Sequence, residues 1–419
     1  MSGVLMSGVA GGRSLGRRFG WLWAAYAVST FGTRLAFDAF PLIAVVVLDA
    51  GPARVAALAA AGLAVGAVVA VPLGPWVEFQ RKRPVMVATD LVRCAVLLSV
   101  PVAYVSGRLG FAQLLVVSVV VAAADITFRA AAGSCLKALV GPGDLLTANG
   151  RFEATAWTAT MLGPPVGGAA IGVFGPVVTV AVDAVSYLLS ALGIRAIGGG
   201  EPRPHRTGAP SRLRAGELLD GWRYFLTSPC LRPLFLNTVL VNGLIMATTP
   251  LLAVLMLADL GFAPWQYGLA FAVPCVGGLI GSRMAQPLVA RFGEHRVLAT
   301  SGVLRVCWPV GLAFVRPGGA GLALVMAVEF GLITSMGVFN PVFATRRLEL
   351  TPPDRVVRTL SAWSVSGKLT TAALIAVWGL LAGLTGPRTA IALAGVLLLA
   401  TPLLLPRHDH ARTAGGRPQ

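Results

Sequence analysis

Long uncharged stretches alternate along this chain with short connections that carry arginine. Val55–Val77, Pro233–Ala258, Leu369–Pro387 and Thr389–Pro406 contain no Asp, Glu, Lys or Arg. A bilayer-spanning helix needs about 20 mostly apolar residues, so these stretches have the length and character of spans. Followed along the whole chain, the pattern predicts twelve helices, over 19–49, 55–77, 85–106, 110–134, 149–173, 175–197, 232–258, 265–290, 296–315, 318–344, 357–383 and 387–405. Gly and Pro recur inside them, which membrane helices tolerate. The predicted fold class is an all-α membrane protein, its twelve transmembrane helices arranged as two pseudo-symmetric six-helix bundles. The bundles cover 1–197 and 232–405, with a cytoplasmic linker over 198–231 and a cytoplasmic tail over 406–419.

A repeat half a chain long suggests the two bundles. PLIAVVVL at Pro41–Leu48 returns as PLLAVLML at Pro250–Leu257, an offset of 209. PWVEFQRKRPVMVATDLVR at Pro75–Arg93 returns as PLVARFGEHRVLATSGVLR at Pro287–Arg305, an offset of 212. Duplicated halves in so apolar a chain point to a secondary transporter, whose substrate site lies between the repeats. Shared residues such as Pro75/Pro287 and Arg93/Arg305 read as scaffold. Positions where the copies differ, such as Asp38 against Ala247, read as coupling residues.

Composition agrees with a bilayer as solvent: 56% of residues are hydrophobic and 12% charged, against about 25% charged in soluble domains. The net charge of +17 would suit a nucleic-acid binder, but the arginines lie in short connections rather than on one surface. Placed there, they set membrane orientation. Arg13, Arg17, Arg18, Arg81, Lys82, Arg83, Lys137, Arg151, Arg291, Arg296, Arg346, Arg347, Arg355 and Arg358 fall on one side, against Arg54, Arg108, Arg316 and Arg388 on the other. This imbalance predicts a multi-pass protein of the plasma or inner membrane with both termini cytoplasmic. The segment after Arg18 is too long for a cleavable leader and reads as an uncleaved first helix.

Five cysteines without CxxC spacing read as reduced thiols with no metal site. His408 and His410 flank Asp409 in the tail, where weak metal binding competes with simple solvation. In the linker, GELLDGWRYFLTSP sets Leu218, Leu219, Trp222, Phe225 and Leu226 at helical spacing. That predicts either an amphipathic helix on the inner membrane surface or a plain helical connector.

The connection between the second and third helices reads GPWVEFQRKRP, Gly74–Pro84. The spacing of Gly74, Glu78 and the basic run Arg81, Lys82 and Arg83 resembles the helix 2–3 loop signature of the major facilitator superfamily. That resemblance implies that Gly74 permits close helix approach and that acid and bases pair across the bundles, locking the outward-open state. The loop departs from the family pattern: Glu78 replaces the usual Asp, Phe79 the usual Arg, and Gln80-Arg81 lack the second Gly. A weaker or differently paired lock is therefore expected, and positive-inside signalling alone is the competing reading.

The fifth helix carries GPPVGG, Gly163–Gly168, which looks like the GPxxGG signature of proton-coupled antiporters in that superfamily. Gly163, Gly167 and Gly168 leave room for a neighbouring helix, while Pro164 and Pro165 remove backbone donors. Together with Asp125 and VDAVSYLLSAL in the sixth helix, the segment GPGDLLTANGRFEATAWTATMLGPPVGG resembles the twelve-helix drug-exporting, macrolide-efflux branch.

An ionisable residue inside a span costs a few kcal/mol unless paired or hydrated. Arg34 with Asp38, and Asp125 with Arg129, are four apart and share a face, either as self-neutralising bridges or as working groups. Asp38 lies near the middle of the first helix, which lines the cavity in the superfamily, and is the first proton-coupling candidate. Asp125 and Glu329 are the others, with Arg34, Arg129 and Lys368 as charge partners. Glu329 and Lys368 are expected to pair between the tenth and eleventh helices. Phe37, Trp157, Asn242 and Asn340 are substrate-cavity candidates, by stacking or by hydrogen bonding; the amides serve equally to join neighbouring helices.

No GxxxxGK[ST], HExxH or GxSxG motif is present, which argues against ATP coupling within the chain and against an enzyme. The resemblance implies a monomer that effluxes a small apolar drug or secondary metabolite, driven by a proton gradient without a cofactor. Import by the same architecture and a non-transporting membrane sensor or partner remain open.

Overall fold

The computed structural model describes residues 15–36, 39–48, 71–78, 80–199 and 215–405, with scattered positions between 58 and 69. Phe37, Asp38, Phe79, most of the linker and the tail with His408 and His410 lie outside the described residues. Among those described, nine helices are long and apolar enough to cross a membrane. In the first half these are α3 (Lys82–Val105), α4 (Phe111–Leu139) and α6 (Pro176–Ala196). In the second they are α7 (Leu231–Val254), α8 (Cys275–Phe292, preceded by Pro264–Ala272), α9 (Glu294–Cys307), α10 (Gly319–Glu349), α11 (Val356–Thr385) and α12 (Pro387–Ala400). Helix α1 (Gly16–Leu35), the end of α2 (Leu73–Glu78) and α5 (Leu145–Phe174) complete the twelve-helix, two-half fold. A linker helix, Ala215–Thr227, lies between the halves in sequence.

The repeat is visible in the backbone, in a different register from one of the sequence matches. The π-helical turns Ile43–Val47 and Leu255–Asp259 correspond at an offset of 212. So do the first residues of α3 and α9, Lys82 and Glu294. Later the offset is 211: Gly175-Pro176 before α6 matches Gly386-Pro387 before α12. Both glycines hold positive φ, 81° and 86°, which a Cβ disfavours, and each proline takes the first helical position, where its missing N–H costs nothing. The 209 offset of the apolar octapeptides is therefore a match of composition. At 212 Asp38 corresponds to Pro250, not to Ala247.

Each half has its own apolar core, around Ile43, Leu97, Leu114 and Val180 in the first and around Leu252, Val325, Ala390 and Leu398 in the second. A further core joins them. Phe19, Met86, Cys135 and Leu136 pack in one cluster with Leu348, Val356, Val357 and Leu360 of the second half. It lies at the end of the bundle nearest the linker helix, called the linker end below. Exposed apolar side chains such as Val105, Leu380 and Leu384 cover the outside, as a hydrocarbon solvent requires.

The linker helix departs from a simple membrane-surface amphipath. Phe225 is fully buried against Phe235 and Trp363, with ring centroids 4.4 and 5.5 Å away. Trp222 donates to Ser366 Oγ at 2.8 Å and Tyr224 to the Leu350 carbonyl at 3.0 Å. Leu219 and Leu226 stay exposed. The apolar face is therefore divided: most of it docks on the second half, Trp222 also packs against a small cluster that contains Ala123 and Ile126 of the first half, and the rest is free; the Leu218 side chain lies outside the described residues.

Candidate functional site

Among the described residues, the side-chain bonds between the halves run from the linker end to the middle of their helices and no further. At the rim Glu78, the last residue of α2, forms an ion pair with Arg358 near the start of α11. Arg358 also holds Asp220 of the linker helix, Nη1 to Oδ2, at 3.1 Å. Glu78 is 7% exposed. At the same rim, Lys137 of α4 donates to the Leu348 and Thr351 carbonyls at the C-terminal end of α10, where the helix dipole favours a cation. Asn149 of α5 donates to Thr345 Oγ1 of α10 at 3.0 Å.

Deeper in, Asn340 of α10 donates to Glu153 Oε1 of α5 at 2.7 Å, and Trp157 Nε1 donates to the same oxygen at 2.9 Å. The Trp157 indole lies over Gly278 of α8, where a Cβ would collide with the ring. Trp157 and Asn340, both read from sequence as cavity residues, thus meet across the two halves at a carboxylate that sequence reasoning did not select. The Asn242 side-chain amide oxygen of α7 is buried without a hydrogen-bond partner among the described residues.

Charge concentrates on Asp125 of α4. Arg129 Nε lies 3.0 Å from both of its oxygens, Lys368 of α11 lies 3.5 Å away, and Arg93 Nη1 of α3 lies 3.8 Å away. Arg93 also binds Asp90 at 2.5 Å and stacks over Phe128 and Tyr187, 4.7 and 4.2 Å from their centroids. Beside it, Asp183 of α6 accepts from Thr33 and Ser186, each at 3.3 Å. The repeat-equivalent Arg305 is fully buried, 3.5 Å over Phe339, and donates to Asn237. Its register keeps the aromatic partner, Phe128 against Phe339, and replaces Asp90 with Gly302.

Three expectations need correction. Lys368 pairs with Asp125, and Glu329 makes no ion pair among the described residues. The helices run in opposite directions: Lys368 lies roughly 18 Å and Glu329 roughly 30 Å from the linker end at 1.5 Å rise per residue. In the helix 2–3 loop the acid reaches across the halves, whereas the bases fasten their own half. Lys82 donates to the carbonyls of Val77, Glu78 and Gln80, Arg83 donates to those of Gly198 and Gly199, and Arg81 is exposed. In GPPVGG, Gly163 abuts Arg34 and Gly167 abuts the Leu35 carbonyl, so α1 lies directly on α5 there. Gly168 has open space, because one residue further turns it about 100° round the helix. Gly74 lies in the last turn of α2, and the Pro164 side chain lies outside the described residues.

Twelve apolar helices in two repeated halves, joined by breakable polar bonds at one end, define a multi-pass membrane protein of the two-bundle type. The chain belongs to the Major Facilitator Superfamily, whose sequence model matches residues 22–345 and again 234–418. It is similar to the multidrug efflux pump Tap of Mycobacterium tuberculosis, 27% identical over 201 residues, 47% of each chain. Tap of Mycolicibacterium fortuitum is also 27% identical, over 205 residues, covering 47% of this chain and 48% of that one. The chain thus spans about half the length of the curated relatives it matches. In fold it resembles a bacterial homologue of the iron transporter ferroportin in its outward-facing state, with TM-score 0.79, 16% identity and 93% and 98% of the two chains covered. It also resembles the human organic anion transporter MFSD10, with TM-score 0.74, 15% identity and 93% and 99% covered. Among the described residues no group of His, Cys, Asp and Glu is arranged to hold a metal.

Proposed function

We propose that this protein is a proton-coupled secondary transporter that exports a small, fairly apolar drug or secondary metabolite by alternating access. The observation that carries this reading is the one-ended clasp: Glu78, Lys137, Asn149, Glu153 and Asp125 reach from the first half to partners on the second, toward the linker end. Such bonds stabilise one rocking state and break in the other. With the basic connections placed inside by the positive-inside rule, the linker end is cytoplasmic and the state described here faces outward. The similarity to Tap supports efflux as the direction.

Asp125, Glu329 and Asp38 are the proton-coupling carboxylates in this reading, with Arg34, Arg129 and Lys368 as charge partners. Asp125 and Lys368 join the halves directly, so loading a proton on Asp125 removes the charge that holds Lys368. The proton gradient supplies the driving force with no bound cofactor, and the transporter works as a monomer. Expression in a host stripped of efflux pumps tests the proposal: resistance to a subset of apolar toxic compounds is expected, abolished by a protonophore and by Asp38→Asn. Inside-out vesicles that accumulate such a compound equally well without a pH gradient contradict proton coupling.

A further inference from the structure

The linker helix makes its hydrogen bonds and most of its packing with the second half, although Trp222 also touches a cluster with Ala123 and Ile126 of the first. Phe225 is buried beside Phe235 and Trp363, Trp222 bonds Ser366, and Tyr224 bonds the Leu350 carbonyl. Gly221 brings the linker backbone against α11 at Arg358 itself: a Cβ there would approach the Arg358 carbonyl oxygen to 2.5 Å and Ala362 Cβ to 3.1 Å. The Asp220–Arg358 pair therefore joins two elements of one rigid half. The Glu78–Arg358 pair joins the two halves. One guanidinium holds two acids, and only one of them leaves when the halves part.

We infer that Asp220 is a competing partner in the gate: it shares the Arg358 guanidinium with Glu78 while the halves are clasped and stays with that cation when they separate. This rests on the alternating-access reading above, and it makes the linker helix a working part of the latch rather than a tether. The consequence is a sign. Asp220 accompanies Arg358 in both states, whereas Glu78 meets it in one. Neutralising Glu78 weakens only the clasped state. Neutralising Asp220 takes away a charge that stays with Arg358 after separation, makes the guanidinium depend more on Glu78, and so favours the clasped state. Asp220 is 45% exposed at its side chain and Glu78 8%, so screening makes the Asp220 effect the smaller.

The test uses the native Cys135 thiol, 4% exposed in the core shared by the halves at the linker end. Its reaction with a water-soluble maleimide, followed by peptide mass spectrometry on the full chain in lipid nanodiscs, reports parting of that end. Glu78→Gln is expected to speed labelling at least tenfold. Asp220→Asn is expected to slow it about threefold, on the scale of an exposed ion pair, and Asp220→Glu is expected to restore the parent rate. Faster or unchanged labelling in Asp220→Asn, alongside faster labelling in Glu78→Gln, overturns the role of Asp220 and leaves the gate intact. Unchanged labelling in every variant overturns the gate reading and this inference with it.

Discussion

Replacing Asn340 by Leu keeps the approximate volume of the side chain and removes its donor to Glu153. The lost bond is short, 2.7 Å, with a carboxylate acceptor. Bonds of that kind contribute about 1.5–3 kcal/mol. Trp157 retains its own 2.9 Å bond to the same oxygen, so the carboxylate keeps a partner and the α5 helix its local structure. Because the Asn340 bond joins the halves, its loss acts on the ratio of clasped to parted states. At 1.4 kcal/mol per tenfold, the ratio falls about 12- to 140-fold. Maleimide labelling of Cys135 measures this change directly, provided closing is faster than reaction. Combining Asn340→Leu with Glu153→Ala should show strong non-additivity, since both variants remove one shared contact. A labelling rate in Asn340→Leu equal to the parent's refutes the view that this bond holds the linker end closed.

Gly167→Val should lower the melting temperature sharply and block function, because the new side chain meets the Leu35 carbonyl, whereas Gly168→Val should change the melting temperature little; thermal unfolding in detergent checks both.

Uncharged runs such as Pro233–Ala258 made the helices legible, since hydrocarbon solvent forbids unpaired charge and exposed backbone alike. The helix 2–3 loop was legible through Gly74 and Glu78, but Arg358, its partner, lies 280 residues further along the chain, and no local pattern marks that distance. Glu153 escaped notice because it stands beside Arg151 at the start of α5, where charge looks like orientation signalling. Its only local sign is the i,i+4 spacing to Trp157. Arg93 read as scaffold, yet it joins Asp90, Asp125, Phe128 and Tyr187 through contacts set by helix packing. The expected Glu329–Lys368 pair fails on depth, a quantity that opposite helix directions supply once the topology is drawn.

In the alternating-access reading proposed above, the linker end parts and closes as two rigid halves. Gly143 in the α4–α5 connection and Pro353 in the α10–α11 connection are both exposed and lie on different halves. Spin labels on Gly143→Cys and Pro353→Cys, in a protein with its five native cysteines replaced, report the distance between the halves by pulsed electron paramagnetic resonance. Two distance populations are predicted, with the longer one dominant in Arg358→Ala, where loss of one partner of a buried pair costs about 3–5 kcal/mol. A single distance, unchanged by Arg358→Ala, contradicts rigid-body parting at this end.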